Sequence, residues 1–182
     1  MKLAKRPVLT TTALAAVTAA TLFGATSGQA AASQPARVDA PAALKVPDGN
    51  RLTGVFSAAG VQTYTCGANG AWTLLEPAAT LWAKNDRSHR PVALHSRGPV
   101  WVSTVDGSAV NGAAVANSPK TGTIPELLLK STATRGTGVF ADVSYIQRLN
   151  TRGGVAPATA CTGTDQVSVP YSATYAFYKP AK

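Results

Sequence analysis

The chain has 182 residues, with seventeen Lys and Arg against eight Asp and Glu, which gives a formal net charge of +9. Only 14% of the residues are charged and 45% are hydrophobic, so there is enough apolar material for a core, and a wholly disordered protein is excluded. The length suits about one domain. Sixteen glycines and twelve prolines favour a turn-rich β fold over a helical bundle.

The first thirty residues have the pattern of a secretory signal peptide. Three basic residues lie among the first six, an uncharged and mostly apolar stretch follows, and Gly28-Gln29-Ala30 places small residues where a signal peptidase cuts. We expect cleavage after Ala30, with Ala31 and Ala32 as near alternatives. The apolar stretch is shorter than the ~18 residues that a membrane-spanning helix needs, and no later segment approaches that length. We therefore expect the mature chain to be secreted, soluble and without a membrane span.

The sequence after the signal peptide predicts a leader and one domain. Loss of the three basic residues of the signal lowers the net charge from +9 to about +6. The remaining charges are scattered, whereas a nucleic-acid-binding domain more often clusters them on one face with aromatic residues between, so we expect no nucleic-acid partner. Residues 31–48 are rich in alanine and proline and predict a flexible leader. Residues 49–182 then form a single domain, which we expect to be monomeric.

Short runs of β-forming residues, separated by turn residues, fill this domain. In chain order they cover residues 61–66, 71–75, 91–97, 100–105, 109–115, 126–134, 139–149 and 167–178. The Asp106-Gly107-Ser108 segment between the fourth and fifth runs predicts a hairpin. The proline at 125 would also suit the first turn of a helix, although a strand is favoured there. Some eight short strands without a long helical pattern predict an all-β fold, either an antiparallel β-sandwich or a barrel.

The last two runs show the clearest alternation of apolar and polar residues. In the final run one predicted face carries Val167, Val169, Tyr171, Ala173, Tyr175 and Phe177. In the run before it, one predicted face carries Val139, Ala141, Val143, Tyr145 and Leu149, and the other carries Asp142, Ser144, Arg148 and Asn150. Pro170 cannot donate a ladder hydrogen bond, so it predicts an edge strand or a break in pairing.

Cys66 and Cys161 are the only two cysteines. An even number of cysteines in an exported protein favours a disulfide, which here would close 95 residues of chain. Two buried free thiols and a catalytic cysteine are the alternatives. Catalysis is the weaker of these, because nothing in the sequence pairs a histidine with either cysteine. We expect a structural disulfide.

Several segments together resemble a known family. They are Tyr64-Thr65-Cys66, Gly98-Pro99-Val100-Trp101, the IPELLL segment at 124–129, the YIQRLNT segment at 145–151 with the following GGVAP and Cys161, and Val169-Pro170-Tyr171. Over residues 50–178 the chain resembles the domain-of-unknown-function family numbered thirty-four fifty-five, which comprises small secreted proteins of bacteria and fungi. The resemblance implies no established activity and therefore no catalytic residue, although some members carry a dehydrogenase label.

The sequence argues against a dehydrogenase and against a metal enzyme. The segment 136–141, GTGVFA, fits the G-x-G-x-x-A pattern, but the residues after it alternate like a strand, and no acid lies about twenty residues on. We therefore reject the dehydrogenase interpretation and expect no cofactor. His89 and His95 are the only histidines, and no HExxH or CxxC spacing supports a metal site.

A tentative binding site is formed by His95, Arg97 and Trp101. On a strand, His95 and Arg97 share a face and would lie at an anion or sugar site with Trp101 or Tyr145 nearby. The competing interpretation is a solvated strand face with the tryptophan in the core. We favour non-catalytic binding of an extracellular polymer or a small anionic ligand, and we assign no catalytic residue. The alternatives are a small extracellular hydrolase with a site around His95 and an inert surface or structural protein.

Overall fold

The computed structural model describes residues 38–182. The predicted signal peptide, its cleavage site at Ala30 and residues 31–37 of the predicted leader lie outside the described residues. A 3-10 turn at Ala42–Leu44 is followed by eight strands. These are β1 (Asn50–Cys66), β2 (Trp72–Ala83), β3 (Pro91–Ser96), β4 (Val100–Ser103), β5 (Ala109–Ser118), β6 (Glu126–Arg135), β7 (Tyr145–Gly153) and β8 (Gln166–Pro180).

The eight strands form one closed antiparallel barrel. Each strand pairs with the next one in the chain, and β8 pairs with β1 to complete the ring. The all-β prediction is confirmed, and of the two predicted architectures the structure is the barrel. The segment after Pro125 is the strand β6 and not a helix.

Five strands are longer than the sequence pattern predicted, with β5 and β6 having 10 residues each. β1 has 17 residues, β2 has 12 and β8 has 15. The first part of β1 escaped prediction because its small residues obscure the alternation. One of them is required by the packing, since a Cβ added to Gly60 would collide with the backbone of Ala78 and Ala79 in β2.

The main core lies inside the barrel. The alternating residues Tyr171, Ala173, Tyr175 and Phe177 of β8 are buried there, as the final run predicted. Toward the end where β8 finishes, Phe177 packs against Phe56 and Phe140, with ring centroids 5.5 and 4.7 Å away. Inward and outward residues alternate along barrel strands, so this aromatic group closes one end of the interior.

The predicted faces of residues 139–149 are wrong, and so is the predicted start of that strand. Residues 136–142 form turns, and β7 begins at Tyr145. Ile146 belongs to the interior core, and Arg148 lines the interior cavity described below. Leu149 points to the outside, yet it is buried. Alternation misled the prediction because both faces of β7 are covered.

The outer face of β7 is covered by the segment that precedes β1. Leu44 is fully buried against Leu128 and Leu149, and its carbonyl oxygen accepts a 2.6 Å hydrogen bond from Nε2 of Gln147. Burying one leucine contributes about 2 kcal/mol. The packed domain thus begins upstream of Gly49, where the sequence pattern placed its start.

Several predicted local features are present. Cys66 and Cys161 form the disulfide, which joins the end of β1 to the loop before β8. The Asp106-Gly107-Ser108 segment lies in the turn between β4 and β5. Pro170 pairs with Val61 of β1 and lies beyond the end of the β7–β8 ladder at Gly153, so the break in pairing is on the β7 side only. Among the described residues, no helix has the length and apolar character needed to cross a membrane.

A candidate ligand pocket inside the barrel

A pocket of about 440 Å³ opens into the barrel toward the end where β3 turns into β4. That turn contains a cis peptide bond between Gly98 and Pro99. The pocket walls are mainly apolar, with a small number of polar side chains among them. The apolar lining comes from Leu74, Leu75, Pro77, Pro99, Trp101, Ala114, Leu127, Leu129 and Tyr175, and the polar lining from Gln62, Glu76, His95, Arg97 and Arg148.

His95 lies on β3 with its ring in the wall of the pocket and only 3% of its surface exposed. Its Nδ1 is 3.0 Å from the carbonyl oxygen of Val100. A carbonyl oxygen can only accept, so Nδ1 carries the proton of the neutral ring and Nε2 is left as an acceptor. Burial lowers the pKa of His95 to about 4, the Val100 hydrogen bond opposes that change, and the positive charge of Arg148 adds to it. The ring is therefore neutral at physiological pH.

Aromatic rings fix the position of His95. The indole of Trp101 is stacked on the imidazole with a centroid separation of 4.3 Å and an angle of 2° between the planes. Tyr175 meets both rings edge-on, with centroids 5.4 Å from each. Burial raises the pKa of Tyr175 and of Tyr171, whose hydroxyl oxygens lie 3.3 Å apart, so both remain neutral phenols. The result is a rigid, uncharged aromatic wall.

Gln62 brings an unpaired polar group to the pocket. It lies on β1, is 2% exposed, and its Nε2 has no hydrogen-bond partner among the described residues. A buried amide without a partner costs about 1–3 kcal/mol, so a folded protein seldom retains one without a use. Gly154 helps to hold this side chain, because its φ of +78° brings the backbone close enough that an added Cβ would lie 3.3 Å from Cγ of Gln62.

The charged groups of the pocket are two arginines and one glutamate. Arg148 is half-buried, and its Nε and Nη2 donate to the carbonyl oxygen of Pro125 at 3.2 and 2.9 Å. The guanidinium also interacts with the hydroxyl of Tyr175 in the pocket wall. Arg97 follows the end of β3 and is exposed at the mouth, and Glu76 on β2 is half-buried. The positive charges exceed the negative one.

The structure brings all three residues of the tentative site to this one pocket. His95 and Trp101 are in direct contact, and Arg97 lies at the mouth. Sequence reasoning missed Gln62 and Arg148, which it did not connect with His95. For Gln62 the sequence contained a signal, because it lies on the same strand face as Tyr64. The hydroxyl of Tyr64 donates to the carbonyl oxygen of Gly154 at 2.6 Å. For Arg148 the predicted alternation was misleading, because it placed this residue on the polar face of its strand.

Other chemistries considered from the sequence are not assembled in the described part of the chain. Residues 38–182 contain no group of three His, Cys, Asp or Glu side chains able to hold a metal ion. His89 stacks on Trp82. It precedes the start of β3, whereas His95 lies near the end of that strand. The G-x-G-x-x-A segment at 136–141 forms turns between two antiparallel strands, not the opening of a helix after a parallel strand.

Comparison with known proteins places the chain in a family whose function is unknown. The model of the family described as "Protein of unknown function (DUF3455)" matches residues 47–179, which span all eight strands almost completely. Comparison with curated proteins and with solved structures found no match.

Proposed function

Since the chain belongs to the DUF3455 family, whose function is unknown, we propose its function from the pocket: non-catalytic binding of a small anionic ligand inside the barrel. The observation that carries the proposal is an apolar cavity that contains a half-buried guanidinium and an unpaired buried amide. Ligand sites of proteins have this composition, with apolar walls and a few polar groups that fix orientation.

The size and depth of the pocket favour a small molecule over a polymer. A volume of about 440 Å³ falls within the range of small-ligand sites. Eight-stranded barrels are just wide enough to hold one small ligand. A polymer site would need exposed aromatic rings for stacking, but Trp101 is 1% exposed and Tyr175 is fully buried. The small anionic ligand is thus the better supported of the two classes proposed from the sequence.

The charges of the pocket favour an anion. Arg148 presents a planar guanidinium in partly buried surroundings, where hydrogen bonds to carboxylates and phosphates are strongest. Arg97 adds a second positive charge at the mouth, and electrostatic attraction of this kind speeds the entry of anions. His95 stays uncharged and so adds no positive charge inside.

The hydrogen bonding of His95 favours binding over hydrolysis. In a catalytic triad a carboxylate orients the histidine and a nucleophilic hydroxyl lies at its second nitrogen. Here a backbone carbonyl takes the orienting position, and within residues 38–182 no serine or threonine hydroxyl bonds to Nε2. Glu76 is the one carboxylate in the pocket lining, so a hydrolase would have to work with His95 and Glu76 alone.

We also propose that the protein is secreted and acts outside the cell. The support is the signal-peptide pattern that ends at Ala30 together with the disulfide between Cys66 and Cys161. Disulfides persist in oxidising compartments. Expression of the full chain in a bacterial host and N-terminal sequencing of the exported protein should give a mature N-terminus at Ala31. An intracellular product that keeps Met1 would contradict secretion.

Binding is tested by pairing carboxylates with their neutral amides. Cinnamate and decanoate, added to the disulfide-bonded chain at pH 7, should raise the melting temperature in a saturable way, because a ligand that binds only the folded state stabilises it. Cinnamamide and decanamide should have much weaker effects. Arg148→Gln should abolish the difference between acid and amide, and Arg135→Gln, which changes an exposed arginine away from the pocket, should preserve it. No saturable shift with any carboxylate, or equal shifts with the amides, would refute the proposal.

A further inference from the structure

The polar groups of the pocket differ in depth. His95, Gln62 and Trp101 are all at most 3% exposed and form its inner part. Arg148 is half-buried, and Arg97 with Leu74 is exposed at the mouth. Neutral polar groups thus lie inside and cationic groups lie further out, with leucine side chains completing the lining. A ligand that satisfies both sets must carry different chemistry at its two ends.

The inner groups require both a donor and an acceptor from the ligand. Nε2 of His95 is an acceptor without a hydrogen-bond donor among the described residues, because Nδ1 uses the ring proton on Val100. Nε2 of Gln62 and Nε1 of Trp101 are donors without an acceptor among the described residues. A carboxylate at this depth would only accept, so it would leave the His95 nitrogen unpaired. A hydroxyl group both donates and accepts, and it brings no charge into the buried end.

We infer that the ligand is a hydroxy acid whose hydroxyl and carboxylate stand at opposite ends of an apolar body, with the hydroxyl inserted toward His95 and Gln62 and the carboxylate held at Arg148. The inference rests on the proposed function and specifies its ligand class. It distinguishes a para-hydroxylated aromatic acid from an acid without a hydroxyl. The inference also distinguishes the para-hydroxylated acid from an isomer whose hydroxyl lies beside the carboxylate, since that hydroxyl would remain near the mouth of the pocket.

The unpaired amide of Gln62 gives a second, independent consequence. In the free protein this group is buried without compensation, whereas the bound hydroxyl supplies its partner. Gln62→Leu should therefore raise the melting temperature of the free protein and at the same time weaken binding of the hydroxy acid. Gln166→Leu, at an exposed glutamine of β8, is the matched control and should change neither quantity. A residue that served packing alone would lose stability on this substitution.

The test compares 4-hydroxycinnamate, 2-hydroxycinnamate and cinnamate by calorimetric titration at pH 7. The 4-hydroxy acid should bind at least about tenfold more tightly than the other two, because a site built to pair a hydroxyl discriminates against analogues without it. His95→Phe should remove this preference while cinnamate itself still binds. If that variant fails to fold, Gln62→Leu supplies the same readout, with a preference reduced at least several-fold.

The outcomes separate this inference from the proposed function. Equal affinities for the three acids would overturn the hydroxyl inference and leave anion binding intact. An unchanged preference in both His95→Phe and Gln62→Leu would also overturn it, since the hydroxyl would then be recognised elsewhere. Absence of binding by all three acids and by decanoate would overturn both proposals.

Discussion

Gly154 offers a quantitative test of how the barrel packs around the pocket. Its φ is +78°, and a Cβ added there would lie 2.9 Å from Cβ of Tyr171 and 3.1 Å from Cγ2 of Ile124. Gly154→Ala therefore incurs two costs. The left-handed backbone costs an alanine about 1–2 kcal/mol, and overpacking a filled interior costs a further 1–3 kcal/mol or so. We expect the free energy of unfolding to fall by about 2–5 kcal/mol.

Gly122→Ala is the matched control for the backbone cost alone. Gly122 has a φ of +71°, but a Cβ there would meet nothing within 4 Å. Its loss should be about 1–2 kcal/mol. Urea unfolding, followed by tryptophan fluorescence, measures both variants against the parent, and an unchanged denaturant slope would show that the comparison is valid. Equal losses in the two variants would refute the contact argument and show that the region around Tyr171 relaxes without cost.

Three further predictions concern His95, the disulfide and Asp106. The pKa of His95 is about 4 in the folded state against an ordinary value of 6.5, so the unfolded chain binds more protons between these values, and stability should fall as the pH is lowered through that window. Urea unfolding at pH 7 and pH 5 should differ by about 2 kcal/mol, and His95→Gln should flatten this dependence; an equally steep dependence in the variant would assign it to other groups. Replacing Cys66 and Cys161 together by alanine should reduce stability by about 4–5 kcal/mol in the loop-entropy model, because the bridge closes a loop with a sequence separation of 95 residues; a loss below about 1 kcal/mol would contradict that model here. Asp106 accepts hydrogen bonds from the backbone nitrogen of Val139 at 2.8 Å and from Ser108, so Asp106→Ala should accelerate hydrogen exchange at the Val139 amide and lower the melting temperature, and unchanged exchange would show that the loop is held by other contacts.

The sequence contained the fold class but not the geometry of the pocket. The alternation in β8 and the even cysteine count were sufficient to predict a stapled β domain, because one face of β8 is apolar throughout. The same rule failed for β7, where Leu44 covers Leu149 from outside while Arg148 lines the interior cavity. Prediction of a strand from alternating apolar and polar residues assumes that one face of the strand contacts water. A strand with two buried faces does not meet that assumption.

The candidate site shows the same limit. His95, Arg97 and Trp101 are close in the chain, so one strand and one turn were enough to associate them. Gln62 and Arg148 reach the pocket from β1 and β7, and only the closure of the barrel brings them to His95. A charged residue that faces a barrel interior gives the same local pattern as one that faces water. The unpaired state of Gln62 is likewise a property of the assembled interior.

The pairing of β1 with β8 has a kinetic consequence. The ring is completed by a ladder that extends from Asn50 opposite Pro180 to Thr65 opposite Gln166. One of the two strands that pair with β1 is therefore the last strand of the domain. A chain still being synthesised lacks that partner and leaves β1 and β7 with open edges. Contacts between residues so distant in the chain slow folding, and open strand edges invite aggregation in the meantime. Any C-terminal truncation that removes β8 should therefore yield an aggregating chain instead of a smaller barrel.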